Sequence, residues 1–463
     1  MHGDKTTHSP DNPREPLKSY RLLSLTWPIF LENLFGMLLG VVDTIMLSSY
    51  SDTSVTAVGL ANQILTIAGL LFGFFTVGTA VVLNQWLGAG KLKDVERISA
   101  LSLSLNLMIG LVVSVCLLLF PGVFLRLFAL EPAIMEQSEI YLSVVGSSMF
   151  MIAVNMTLGT MLRCRGMVKE MMLLSLAVNV VNIIGNCIVL MEPFGIPVFG
   201  VSGVAVSTWV TRLLAMLAFL LLCRRRLPHP VRLIHPGQIS GEDTRLLFKL
   251  GLPSAGEPVS YNLSQGVITY LISMLGAAAL TTKIYTQNIT SFIFIISMSI
   301  GTGTQIIVGH LIGSRRKEDA YRSGLYSLKA GLLLTMSVSI LLYLVSGPLL
   351  GLFTSDEEII RLGGQLFLLS ILLEPARACN MVLISSLNAA GDVRYPVLIG
   401  IISMWGISVP AAFLLGIVLH MGLAGIWLAF AIDEWVRAAM MFFRWRKRAW
   451  ERIDMVSAES VNA

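Results

Sequence analysis

Inside the long apolar stretches of this sequence stand a few groups that could carry chemistry where water is scarce: Asp43, Glu32, Glu257, Glu374 with Arg377, and Asp433 and Glu434 with Arg437. A carboxylate or guanidinium at bilayer depth costs several kcal/mol unless it is paired, protonated or facing water. Asp43 is the sharpest of them. Set in Val41-Val42-Asp43-Thr44-Ile45-Met46, it is hard to ionise, which suits a group that binds and releases a proton during a cycle. The competing reading is a hydrogen-bonding group that packs helices together. Asn179, Asn182 and Asn186 recur at spacings of three and four, hence on one helical face, with Ser207 and Thr208 one apolar run later. They can surround Asp43 with neutral oxygens or simply join helices.

Glu32 and Glu257 each stand four residues after a proline, Pro28 and Pro253, whose missing N–H loosens the first turns of a helix and lets water approach. Glu257, helped by Asn262 and Gln265, is read as lining a cavity and binding a cation. Glu32 lines the same cavity or sits near the water boundary as a capping group. Glu374 and Arg377, three apart, can pair on one helical face, which leaves Glu374 either a structural partner or, when freed, a cation ligand. Asp433 and Arg437 are placed for an i,i+4 pair close to the membrane surface, a structural role, and Arg212 is a possible partner for these acids across the middle of the chain. Among many aromatic residues and methionines, Tyr261 and Phe294 are singled out as the wall against which a flat cation would lie.

These groups need elements to hold them, and composition says which. The chain has 463 residues, 55% hydrophobic and only 13% charged, with a mean hydropathy of +0.77. Soluble domains are about a quarter charged, so a water-soluble enzyme is disfavoured. Forty Gly and 23 Met among Leu/Val/Ile runs suit close-packed membrane helices rather than a barrel of short alternating strands. A span takes roughly 20 apolar residues, and twelve such runs occur, at about 21–47, 55–84, 98–121, 137–162, 170–191, 200–222, 246–275, 283–311, 326–350, 359–387, 395–419 and 422–443. Assigning every Lys and Arg puts 27 of 33 on one side. Only Arg126, Lys283 and Arg361 fall on the other. By the positive-inside rule the basic side, with both termini, faces the cytoplasm.

The sequence also repeats itself. Pro28/Pro253, Glu32/Glu257, Gln63/Asn288, Gly78/Gly303, Gly88/Gly313, Gly122/Gly347, Leu127/Leu352, Phe128/Phe353 and Gly166/Gly391 all stand in one constant register, and Gly200/Gly422 and Gly203/Gly425 in a slightly shorter one. The expectation is an all-α polytopic membrane protein with twelve transmembrane helices in two six-helix repeats, related by a pseudo-two-fold along the membrane normal. Its parts are a cytoplasmic N-tail (1–20), an N-terminal bundle (21–222), a basic cytoplasmic linker (223–245), a C-terminal bundle (246–443) and a cytoplasmic C-tail (444–463).

Trp27-Pro28-Ile29-Phe30-Leu31-Glu32-Asn33, followed by Val42-Asp43-Thr44, resembles the first helix of the multidrug and toxic compound extrusion (MATE) family. Gln85-Trp86-Leu87-Gly88-Ala89-Gly90, Met161-Leu162-Arg163-Cys164-Arg165-Gly166 and Leu387-Asn388-Ala389-Ala390-Gly391-Asp392 agree, and the resemblance covers nearly the whole chain. It implies export of organic, often cationic or amphipathic compounds against inward H⁺ or Na⁺, a V-shaped cavity between the halves, and Asp43 as the coupling carboxylate. Two departures stand out. Asn186 occupies the place of a second aspartate used by one branch, and the span-7 glutamate of another branch lies further beyond its proline than Glu257 does.

No enzyme constellation is present: the six His are scattered, no GxxxxGK[ST] loop occurs, and the five Cys have no metal-site or disulfide spacing. The expected function is a secondary-active multidrug antiporter of a bacterial inner membrane. It would work as a monomer with no cofactor beyond H⁺ or Na⁺, no metal centre and no nucleic acid partner, on small organic cations. The rivals are a flippase of lipid-linked sugars and a metabolite exporter on the same scaffold.

Overall fold

The computed structural model describes residues 21–126, 128, 130–191, 199–228, 233, 240–453 and 455. The N-tail 1–20, most of the linker between 229 and 239, residues 456–463 and Leu127 lie outside the described residues. Every regular element among those described is helical. The first half comprises α1 (Leu22–Ser48), α2 (Asp52–Gly88), α3 (Leu92–Leu119), the short α4 (Pro121–Leu125), α5 (Pro132–Gly146), α6 (Met149–Cys164), α7 (Val168–Leu190) and α8 (Gly200–Arg226). The second comprises α9 (Gly241–Ser273), α10 (Ala277–Gly313), α11 (Lys317–Leu344), the short α12 (Ser346–Gly351), α13 (Glu357–Ala389), α14 (Arg394–Ser403), α15 (Val409–Ala412) and α16 (Gly422–Arg446).

Nine spans among the described residues are long and apolar enough to cross a membrane on their own terms, and α5 with α6, bent by 45°, makes a tenth. The remaining two, α9 and α16, carry the polar load: α9 opens on Gly241-Glu242-Asp243 and holds Glu257, and α16 holds Asp433, Glu434 and Arg437. As repeat mates of α1 and α8 they complete twelve.

Helix boundaries obey the register of the sequence repeat. The starts Asp52/Ala277, Leu92/Lys317, Pro121/Ser346 and Pro132/Glu357, and the ends Gly88/Gly313 and Cys164/Ala389, all keep the offset that relates Pro28 to Pro253. Gly166 and Gly391 follow α6 and α13 with φ of +74° and +86°, the left-handed turn in which glycine closes a helix end. The halves differ in two places. The bent pair α5–α6 corresponds to a single unbroken α13, and the regular α7 corresponds to α14 and α15 with π-helical turns at Met404–Ser408 and Phe413–Val418. Pro410, at the start of α15, has no N–H for the helical ladder, which favours such wide turns.

The pseudo-axis passes between α2 and α10. In a two-fold arrangement only residues on the axis touch their own mates, and Asn84 and Gly309, equivalent in the repeat, do so: a Cβ on Gly309 would stand 2.5 Å from that of Asn84. Around this point the contacts are reciprocal. Gly88 lies tight against the backbone of His310, and Gly313 against the backbone of Gln85. Further along, Gly78 meets Leu247 of α9 while Gly303 meets Leu22 of α1. Small residues at these positions let helix backbones from the two halves approach closely.

One boundary expectation is corrected. Lys283, placed by the hydropathy reading at the edge of a span, lies well inside α10, is 6% exposed and donates to Thr269 Oγ1 at 2.5 Å. The helix begins at Ala277, six residues before the expected span, which puts Lys283 in its second turn.

Candidate functional site

In the first half α1 and α7 bring Asp43 to the asparagine face. Asn186 Nδ2 donates to Asp43 Oδ1 at 2.9 Å and to Asn182 Oδ1 at 3.3 Å. Asn186 is 1% exposed and Asn182 6%, whereas Asp43 is half-buried. The acid is thus held by a neutral amide, and among the described residues no ion pair forms to it. Two further oxygens here, Asn186 Oδ1 and Ser207 Oγ, are buried with no hydrogen-bond partner. Gly185 allows the approach, because a Cβ there would overlap Ser207 Oγ. Asn179 takes no part in the described contacts of Asp43.

Thr208 belongs to an adjoining group. It and Asn62 interact with the hydroxyl of Tyr141, a buried residue that also lies in the fields of Arg212 and Asp43. Tyr141 and Asn62 were missed in the sequence; their only signal was a polar atom within a predominantly apolar run. Arg212 does not reach across to the acids of the second half. It donates to Val145 O at 3.0 Å and Ser148 Oγ at 2.8 Å, capping carbonyl and hydroxyl groups where α5 breaks from α6.

The second half is organised differently. Arg377 Nη1 meets Glu374 Oε1 at 2.7 Å and its Nε lies 3.6 Å from Glu434 Oε1. Arg437 Nη2 meets Asp433 Oδ2 and Glu434 Oε1, both at 2.9 Å. Asn380 Nδ2 donates to Glu434 Oε2 at 2.6 Å, and Ser403 Oγ hydrogen-bonds Asp433. Glu257 of α9 lies in the field of Arg437 and Glu434 and packs against α14, where a Cβ on Gly400 would be 3.2 Å from its Oε1. The result is one network across α9, α13, α14 and α16.

Asp433 and Arg437 make the expected i,i+4 pair, and with Glu434 they are only 3%, 7% and 8% exposed. Their helix runs from Gly422 to Arg446, against an expected span of 422–443. Glu374 is the paired acid, not a free one, although its Oε2 is buried without a partner. Sequence reasoning could not join Glu374–Arg377 to Glu434–Arg437, because the link is tertiary.

Comparison with known proteins decides the family. The MatE family profile matches residues 28–188 and again 253–414, two segments whose starts are the repeat-related Pro28 and Pro253. The chain belongs to the MatE family. It is 42% identical over 433 residues, 94% of this chain and 95% of the other, to the uncharacterized transporter YisQ of Bacillus subtilis. It is 26% identical to the probable multidrug resistance protein NorM of Thermotoga maritima, over 97% of both. In fold it resembles a solved structure described as the outward-facing conformation of a multidrug resistance MATE family transporter, with a TM-score of 0.84 at 20% identity, covering 93% of this chain and 96% of that one.

MatE proteins are multi-pass membrane transporters of the multidrug efflux class, not enzymes, so the site of this MatE chain must be read as a place for binding and release. Among the described residues no group of three or more His, Cys, Asp or Glu could hold a metal ion. The remaining predicted positions are dispersed. Glu32 accepts from Arg163 Nη2 at 2.5 Å and Ser175 Oγ at 3.3 Å, an ion pair between α1 and the end of α6 rather than an open carboxylate. Tyr261 is exposed and lies in the field of Arg377. Asn262 is exposed and donates to its own helix at Pro258 O, Gln265 is half-buried, and Phe294 is exposed on α10.

Proposed function

We propose that this MatE chain is a secondary-active antiporter that exports small organic, cationic or amphipathic compounds in exchange for H⁺ or Na⁺, with Asp43 as the group that takes up the coupling ion. One observation carries the reading. Asp43 faces a neutral amide, so its charge is open to compensation by a mobile cation, whereas the acids of the second half lie beside fixed guanidinium groups. Asn186 and Asn182 hold the carboxylate in place and lend neutral oxygens. Glu257 remains a further cation ligand, and Glu374 becomes one when freed from Arg377, each having less fixed compensation than Glu434. Asn179, Thr208, Tyr261, Asn262, Gln265, Phe294 and Glu32 belong to the surrounding cavity in this reading.

In the cycle, ionised Asp43 favours the cationic substrate when the cavity faces inward. Entry of the coupling ion from outside neutralises it, weakens substrate binding and releases the compound. Such a cycle needs different affinities in the two states, since equal binding shifts no population. The basic side, with 27 of the 33 Lys and Arg, faces the cytoplasm of a bacterial inner membrane. Both halves of the cavity lie in one chain, so a monomer suffices.

The test is efflux of ethidium from proteoliposomes under a pH gradient and, separately, a Na⁺ gradient, with Asp43→Asn beside the wild type. One gradient is expected to drive wild-type export and to fail with the variant. Full gradient-driven export by Asp43→Asn would move the coupling site to Glu257 or Glu374. If neither gradient moves the dye in the wild type, the substrate class is wrong, and lipid-linked sugars and anionic metabolites are tested next.

A further inference from the structure

We infer that Gln85 and His310 form a two-part latch that locks the halves together at the basic end, and that its release opens the cavity on that side. Gln85 Nε2 donates to Ala389 O at 2.7 Å, and His310 Nε2 lies 2.8 Å from Cys164 O. A carbonyl only accepts, so the His310 ring carries its proton on Nε2. Each bond crosses from one half to the other. Each is also the image of the other: Gln85 and His310 are repeat mates, and so are Cys164 and Ala389.

The acceptors explain why the latch sits there. Cys164 is the last residue of α6 and Ala389 the last of α13. The final carbonyls of a helix have no partner within it and carry partial negative charge, so they call for donors from elsewhere. Here the donors come from the opposite half. Gln85 is 1% exposed and the carbonyl-bearing residues are 1% and 0% exposed, so water does not compete for the Gln85 bond while the end is closed, and His310 is half-buried. The glycine contacts act at the same residues: Gly313 sits against the Gln85 backbone and Gly88 against that of His310. The donors are therefore held by the surfaces that must separate. Ties at the same end that have no repeat image, Arg97 Nε to Asp243 Oδ2 at 2.9 Å and Trp86 Nε1 to Met455 O at 3.5 Å, add to the closure but are not part of the reciprocal pair.

The inference rests on the alternating-access reading above, and the experiment separates the two. In a chain with Cys116, Cys164, Cys187, Cys223 and Cys379 changed to Ala, spin labels are placed at Lys93 and Arg322, exposed at the basic ends of α3 and α11. Pulsed electron–electron distances are then measured in nanodiscs, without substrate or gradient, for this parent and for Gln85→Ala, Gln85→Glu, His310→Ala and His310→Gln. The Cys164 change leaves its backbone carbonyl in place. The parent is expected to give one short distance. Both alanine variants should add a longer one to a similar extent, and Gln85→Glu, nearly isosteric but an acceptor, should do the same. His310→Gln should keep the parent distance, because Gln already performs this task in the other repeat.

If substrate opens the parent but the alanine and Glu variants match its closed distance, the latch is refuted while rocking of the halves stands. If nothing opens the parent or any variant, both readings fall. Should the alanine variants not fold, Gln85→Glu opening with His310→Gln remaining closed supports the latch, and any other result from that pair overturns it.

Discussion

Asp43 and Glu374 are both carboxylates among apolar helices, and they are compensated in opposite ways. Asp43 has an amide, Asn186; Glu374 has Arg377, and through Glu434 a second guanidinium, Arg437. The halves that hold them share helix starts and ends to the residue over most of their length, yet the charged groups within their spans have no common plan. The mate of Asp43 is Ile268, the mate of Glu374 is Met149, and the mate of Glu434, in the shorter register of Gly200/Gly422, is Arg212. Among the acids within the spans only Glu32 and Glu257 keep their type, and Glu32 is committed to Arg163. The backbone of a repeat can therefore be copied while its charges are rewritten. One half keeps a single adjustable charge, and the other fixes several in a network.

The contrast can be broken most forcefully at Arg437. Removing one partner of a buried pair leaves uncompensated charge and costs about 3–5 kcal/mol. Arg437→Met should therefore lower the thermal unfolding midpoint sharply in detergent, whereas Asp43→Asn should leave it unchanged or raised. If the two variants unfold alike, the halves do not differ as described. Next in size, Asp43→Asn should reduce gradient-driven exchange by about tenfold or more, a difference of roughly 1.4 kcal/mol in barrier height, measured as initial efflux rates. Asn186→Leu sharpens the same half. It removes the bond to Asp43, along with the longer one to Asn182, but leaves the carboxylate, so exchange should fall by roughly fivefold, in keeping with an Asp43 bond worth about 1 kcal/mol; a loss as deep as that of Asp43→Asn would make the amide more than a support.

The smallest effect is expected at the basic surface. Arg448 and Arg322 hold the Glu318 carboxyl below its ordinary range by hydrogen bonding. Any stability from this is present above the ordinary carboxylate range and lost as pH falls through the lowered value. Because the group is exposed and screened, Glu318→Gln should leave the unfolding midpoint unmoved at neutral pH. A clear drop would show that surface ion pairs, and not only the buried network, secure the second half.

Much of the fold was legible because it depends on periodic quantities. Apolar length marked all twelve spans, α9 and α16 among them although their charges make them the least apolar, and the repeat register confirmed the count. The break between α5 and α6 and the wide turns around Pro410 were not legible, since they depend on how helices pack and on which hydrogen bonds are skipped. At the candidate site, Asp43 and the asparagine face could be read from type and spacing. Tyr141, Asn62, Asn380 and Ser403 could not, because each gains its meaning from a partner on another helix, distant in the chain. Arg212 illustrates the limit: its charge suggested a distant acid, but the Val145 carbonyl and the Ser148 hydroxyl at the α5–α6 break lay nearer.

The contact between Asn84 and Gly309 carries a consequence for ancestry. Were the halves two identical chains in a dimer, the residue on the axis would have to meet its own copy. At a separation that brings Cβ atoms to 2.5 Å, no side chain can do so. Asparagine at that position is possible here only because the facing copy is glycine, an inequality that two products of one gene cannot have. Joining the halves in a single chain freed this crowded spot to diverge, and the same freedom allowed a lone acid in one half and an ion network in the other.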